Sequence, residues 1–329
     1  MNSISKYQLA ALLLITDTFC LFCISGSISL VTLHGMLSAT SLGFLMSLVF
    51  TAHGSITSRA QRVLFLVYTV FCGGTLFSSL WRTRNAIYIP YEEELGVWGR
   101  LLTAGLIAIV CIYGSSTGIR AVSRAAVIAA AAGAICIVID FGSAVFSADW
   151  ENVSRPEDRS FVYEFVRGFA FNGGIGSFFV LNEKVNGYRS SAAAVYFGAK
   201  AVLTALVLLT VLPVAGGIMS ITGFPVIMAA QLSQPFDAQR IDSLFLVVFS
   251  VFAVFAVTLQ AMTATYLLKE LFPRFSRWRS STVMVLMIGT ALLISGRELI
   301  LLRGVASAGI MVYTAMRATK YPLHKSADK

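Results

Sequence analysis

The chain has 329 residues, 57% of them hydrophobic and only 12% charged, with a mean hydropathy of +0.79 and a formal net charge of +9. Soluble domains carry about a quarter charged residues, and a larger core cannot absorb the difference, because core size saturates while the surface stays polar. Lipid is therefore the expected solvent, and the positive charge is read as a signal of membrane orientation instead of nucleic-acid binding.

Taken in chain order, the apolar runs predict an all-α polytopic protein of about ten transmembrane helices. They lie at 9–33, 38–56, 63–80, 101–116, 125–146, 161–182, 192–221, 241–268, 282–295 and 299–316, within one transmembrane domain over 1–329. The first run reads as a span and not as a removed signal peptide, since no cleavage-type site and soluble domain follow it. Its Cys20-x-x-Cys23 pair has redox or metal spacing without further ligands nearby. With Cys72, Cys111 and Cys136 it reads as small buried hydrophobes, and no metal or other cofactor is expected. Ser25-Gly26-Ser27 weakens the helix in the same span, unless these small residues serve only close packing. Ala125–Ala134 reads as a close-packing face of span five. Span six carries Asn172-Gly173-Gly174-Ile175-Gly176, a stronger signal for a break. Gly216-Gly217 loosens the end of span seven, and Pro225 and Pro235 bracket a short surface helix over 226–234.

Placing the N-terminus inside puts 15 of the 25 basic residues in cytoplasmic segments and seven in outer loops. Both termini are then cytoplasmic, with 317–329 a basic tail. Trp81, Trp98, Trp150 and Trp278 fall at span ends, as interfacial tryptophans do. Ten spans divide into repeat one (about 9–146) and repeat two (about 161–316), which makes spans one and six equivalent. Interruptions at matching places in two halves point to a transporter binding site.

Seven ionisable residues fall within spans: Asp17, Asp140, Glu164, Arg167, Lys200, Asp242 and Arg303. By this topology Asp17 and Lys200 share the inner half, about 12 Å deep, where they pair as a gate or stand apart. The other five lie in the outer half. There Glu164 and Arg167, three apart, can pair on one face, while Glu164, Asp242 and Arg303 are close enough to the surface to snorkel. Among charged residues, only Arg167 lies near either glycine cluster in sequence. The expected pocket is thus built from backbone dipoles: Ser25, Gly26, Ser27, Asn172, Gly173, Gly174 and Gly176, walled by Phe171 and Phe249 unless these are ordinary core or lipid-facing aromatics. It suits a small zwitterionic amino acid without a tightly held sodium ion. No nucleophile–base constellation or phosphate-cradling loop suggests an enzyme.

The opening Ile4-Ser5-Lys6-Tyr7-Gln8-Leu9 resembles the start of the B-type permease subunits of spore-germination receptors, relatives of the amino acid/polyamine/organocation permeases. Arg240-Ile241-Asp242-Ser243-Leu244-Phe245-Leu246, at the start of span eight, resembles that family's Arg-hydrophobic-Asp-small-hydrophobic-Phe-hydrophobic run. The resemblance implies a LeuT-type five-plus-five inverted repeat with spans one and six broken. It also implies a germinant site beside spans one, three, six and eight, and partnership with an A-type subunit and a lipoprotein C-type subunit in the spore inner membrane. Phe249 stands where the family usually has tryptophan, and no glutamate follows the span-six glycines. An amino-acid secondary transporter or cation-conducting channel in the cell membrane, or an assembly subunit with a vestigial site, fits the same residues.

Overall fold

The computed structural model describes residues 3–53, 56, 58–83, 90–145, 148–154, 160–215, 223–232, 242–274, 278–294 and 299–320, apart from the side chains of 53, 90–101, 154, 215, 242, 243, 299 and 320. Among these residues the chain forms α1 (Lys6–Phe22), α2 (Leu30–His53), α3 (Arg59–Thr83), α4 (Pro90–Thr117), α5 (Ile119–Ala144), α6 (Phe161–Ala170), α7 (Ile175–Leu181), α8 (Arg189–Ala215), α9 (Pro225–Leu232), α10 (Asp242–Leu271), α11 (Arg279–Leu293) and α12 (Leu299–Lys320). Helices α2, α3, α5, α8, α10 and α12 are long and apolar enough to cross a bilayer, and α11 and the Leu102–Thr117 part of α4 are shorter apolar helices. Large apolar side chains such as Ile128, Val67 and Leu293 point outward. In water such a surface would aggregate, whereas in lipid it matches the solvent. The protein is an all-α, multi-pass integral membrane protein.

Local chemistry fixes several helix starts. Ser5 and Gln8 cap α1 reciprocally, with Ser5 Oγ accepting from the Gln8 N–H at 3.2 Å and Gln8 Oε1 from the Ser5 N–H at 2.9 Å. Ser29 and Thr32 do the same for α2 at 3.3 and 3.2 Å, and Ser58 and Gln61 for α3 at 3.2 and 3.1 Å. Each box satisfies two amides that a helix start otherwise leaves unpaired.

The Ser29 box corrects the predicted first span. The run over 9–33 holds one helix ending at Phe22, a connection over 23–29, and the first turn of α2. The expected interruption at Ser25-Gly26-Ser27 is therefore present, and it separates α1 from α2. Gly26 sits at φ +83°, and its N–H donates to the Gly223 carbonyl at 3.2 Å. That left-handed backbone favours glycine. Gly26→Ala has open space for its methyl, so the expected loss of about 1–2 kcal/mol is backbone strain alone, read as a lower unfolding midpoint.

At one end of the bundle the N-terminal segment pairs with the connection after α7: the Ile4 N–H donates to Lys184 O at 3.1 Å and the Asn186 N–H to Ile4 O at 3.0 Å. Ile56, between α2 and α3, reaches the same place through Glu183 Oε1 at 3.0 Å. The 23–29 connection lies at the opposite end of α1. Helix α12 runs four residues past the predicted tenth span, taking in the start of the predicted tail, 317–329. The rest of that tail, Gly216-Gly217 and the Arg240–Ile241 part of the span-eight run lie outside the described residues.

Candidate functional site

The predicted interruption of span six is present. Helix α6 ends at Ala170, the 171–174 turn is held by Phe171 N–H to Gly168 O and Asn172 N–H to Phe169 O at 3.3 and 3.1 Å, and α7 begins at Ile175. Glycine is required here on packing grounds as well as for bending. A Cβ on Gly173 would stand 2.6 Å from both Arg303 Nη2 and Cys20 Sγ, and one on Gly176 would stand 2.5 Å from the Tyr68 ring. Gly174 is similarly confined, with its Cβ position 2.8 Å from Leu13 Cδ2.

A turn buried in a membrane protein frees backbone groups that must find partners. Here side chains from three other helices supply them. The Gly174 N–H donates to Asp17 Oδ1 at 3.0 Å, the Phe171 carbonyl accepts from Lys200 Nζ at 2.9 Å, and the Gly173 carbonyl accepts from Gln260 Nε2 at 2.7 Å. Lys200 Nζ also lies 2.8 Å from Asp17 Oδ2 and donates to Asn172 Oδ1, while the Tyr196 hydroxyl donates to Asp17 Oδ2. All of these residues are buried. Asp17 and Lys200 thus form one ion pair whose remaining hydrogen-bonding capacity is turned on the break. Each lies eleven residues from the start of its helix, about 16 Å along it, near the middle of the bundle.

The other charges are also deeper than expected. Glu164 and Arg167 pair on one face of α6, with Arg167 Nη1 3.0 Å from each carboxylate oxygen, and Glu164 is fully buried. Arg303 is 6% exposed and donates to Cys20 Sγ at 2.8 Å. Neither Glu164 nor Arg303 snorkels, because each lies against a neighbouring helix and not against lipid. Arg167 also donates to the Ser25 and Ser27 carbonyls. The Ser25–Ser27 segment therefore clasps a cation and stands apart from the break. Phe249 packs its ring on Phe19 and Phe245, with centroids at 5.3 and 6.2 Å, as a core aromatic. Phe171 lines a small cavity between α1, α3, α6 and α12. Asp140 is buried on α5, apart from these groups, with Oδ1 unpartnered among the described residues; the Asp242 side chain lies outside them.

No family model matches the chain, and no curated protein does. The site is therefore read from its own geometry. Proximity in sequence misled the pocket expectation: Asp17, Lys200 and Arg303 reach the glycine cluster from α1, α8 and α12, so the break is lined by charged side chains and not by backbone dipoles alone. Sequence reasoning passed over Tyr196, Gln260, Thr263 and Ser177. Tyr196 precedes Lys200 by four residues and so shares its face. Gln260 and Thr263, three apart in an apolar helix, are a polar stripe of the same kind. They close a chain in which Thr263 Oγ1 donates to Ser177 Oγ at 2.9 Å and Ser177 Oγ to Gln260 Oε1 at 3.4 Å. Among the described residues no group of three or more His, Cys, Asp or Glu is placed to hold a metal ion.

Proposed function

We propose that the protein is a transporter-like membrane subunit of the germination-receptor kind, binding a small neutral amino acid at the α6–α7 break. One observation carries the reading. The break turns one N–H and two carbonyls out of the helical ladder at the bundle centre, and what pairs with them is a carboxylate and cationic or amide N–H donors. A zwitterionic amino acid bears the same two charged groups, and would compete with Asp17 and Lys200 for Gly174 N–H, Phe171 O and Asn172.

The reading takes α6 and α7 as one crossing, gives the eight-residue α9, buried against α1, α5, α8 and α10, no crossing of its own, and counts about ten spans in two halves of five. An odd number of crossings per half makes the repeat inverted. The neighbour pattern supports it: α1 packs on α8 as α6 packs on α2, α1 on α5 as α6 on α12, and α4 on α10 as α11 on α3. In this reading span one is a single helix, and only span six is broken. The excess of basic residues in one set of connections supports cytoplasmic termini. Association with A-type and lipoprotein C-type subunits belongs to the same proposal.

The test is thermal unfolding of the purified protein with a panel of amino acids. At least one small neutral amino acid is expected to raise the midpoint saturably, equivalent to about 2.7 kcal/mol at a hundred times its Kd. Its amide and its N-acetyl derivative should not act. If no amino acid acts, the self-paired break is a structural element of an assembly subunit and the ligand reading fails. A second reading, a cation-coupled secondary transporter, is favoured by the buried Asp17–Lys200 pair itself, since paired charges at membrane depth mark ion and substrate pathways. Uptake into proteoliposomes that requires a cation gradient would select that reading.

A further inference from the structure

Around the break, five buried charges do not cancel. Asp17 and Lys200 neutralise each other, as do Glu164 and Arg167, which leaves Arg303. Among the described residues no carboxylate lies within ion-pair distance of it. Its one hydrogen-bond acceptor there is the Cys20 sulfur, a weak one, and its Nε has no partner. Asp140, the remaining buried carboxylate among the described residues, belongs to α5, which packs on α1, α4, α8, α9 and α10. An arginine withdrawn from water without a counter-charge is strongly unfavourable.

Arg303 borders a cavity of about 40 Å³, which Thr75, Ser78, Ser79, Cys20 and Arg82 help to line. That volume has room for roughly three waters or one small ion. Among the described residues its walls hold two guanidinium-bearing residues and three hydroxyls, and no acidic residue. We propose that Arg303 and this cavity form a seat for one small monovalent anion: a chloride, or a carboxylate that is either free or carried by a ligand. The guanidinium supplies charge and directed N–H donors, and the α3 hydroxyls can turn a hydrogen toward the anion. Ser78 now donates to Ile294 O at a long 3.3 Å, and Thr75 to Cys72 O in its own helix. Gly173 is part of the seat, because any side chain there would displace the guanidinium. The seat stands independently of the amino-acid reading, since an inorganic anion satisfies it equally.

The experiment uses the full-length protein in neutral detergent with gluconate, bulkier than any of the three titrants, as the only background anion. Chloride, formate and glycine are titrated separately at constant ionic strength while the unfolding midpoint is followed. Chloride, formate or both are expected to raise the midpoint saturably. Chloride and formate acting without glycine assign the seat to free anions. Glycine acting in competition with formate assigns it to a ligand's carboxylate. Arg303→Gln is expected to weaken the response roughly tenfold or more, as loss of a charge-assisted hydrogen bond entails. In gluconate alone it should be at least as stable as the parent, because it removes an uncompensated buried charge. Ser79→Leu, which fills the cavity and leaves the arginine in place, should abolish the response. A midpoint indifferent to all three titrants, or a response unchanged in both variants, overturns the proposal.

Discussion

Lys200→Met is expected to destabilise the protein by about 3–5 kcal/mol, the cost of leaving a buried carboxylate without its partner. The methionine fills the space of the lysine stem but donates to neither Phe171 O nor Asn172 Oδ1, so the break loses its cation as well. Asp17→Asn is expected to cost a similar amount, because it leaves Lys200 as the uncompensated charge, and its single amide oxygen can accept from the Gly174 N–H or from Tyr196 but not from both. The double variant should be more stable than Lys200→Met alone, and the amount by which its loss differs from the sum of the two single losses measures the pair's coupling. From sequence alone, exchanging the two charges would be expected to rescue either single reversal. The geometry reverses that expectation. Asp17 faces two donors, Gly174 N–H and Tyr196 OH, and Lys200 faces two acceptors, Phe171 O and Asn172 Oδ1. Swapped, each charge would meet groups of the wrong polarity. Chemical unfolding in detergent measures all four variants. A Lys200→Met protein within about 1 kcal/mol of the parent, the scale of an exposed pair, or a swap that restores stability, would contradict this account.

Most helices were legible because the apolar runs and their polar interruptions are strong signals, and the predicted spans locate α3, α5, α8, α10, α11 and α12 to within a few residues at most ends. The weak point at Ser25–Ser27 was legible too; what was missed is that the 23–29 connection parts two long helices. Hydropathy runs straight through it, since Ile24, Ile28, Leu30 and Val31 are as apolar as the helices on either side. The signal that ends α1 is capping chemistry instead: Ser29-x-x-Thr32 has the spacing of a helix start, as Ser5-x-x-Gln8 and Ser58-x-x-Gln61 do. Reading that box would have separated α1 from α2.

The break in span six was legible from composition, but its surroundings were not. Glycines and an asparagine in a row announce that a helix ends; they say nothing about what pairs with the freed groups. Those partners come from α1, α8 and α10, far away in the chain, and only packing brings them together. Depth was misjudged for a related reason. Counting residues from a span end treats every helix as starting at the same level, so Glu164 and Arg303 looked peripheral. Both are buried because α6 lies between α2 and α12, away from lipid.

That placement of α6 rests on glycines and gives the second large effect. A Cβ on Gly304 would stand 2.3 Å from the Val166 carbonyl oxygen, and one on Gly35 would stand 2.7 Å from the Glu164 carbonyl carbon. A Cβ on Gly168 would stand 2.8 Å from Ala39 Cβ and 3.0 Å from Gly35 O. Glycines on all three helices therefore let the backbones of α2, α6 and α12 approach closely. A backbone carbonyl cannot rotate away as a side-chain tip can, so Gly304→Ala has to push α12 and α6 apart. The expected cost is at the upper end of the ~1–3 kcal/mol typical of overpacking, and it falls beside Arg303 and the Glu164–Arg167 pair. Gly309, five residues on in the same helix, provides the control, because nothing lies within 4 Å of its Cβ position. Gly309→Ala should stabilise by up to about 1 kcal/mol, the ordinary difference in helix propensity. The two alanine variants differ by the same single methyl in the same helix, yet are expected to shift the unfolding midpoint in opposite directions. Shifts of the same sign and similar size would mean that α6 is not held by backbone contact with α12.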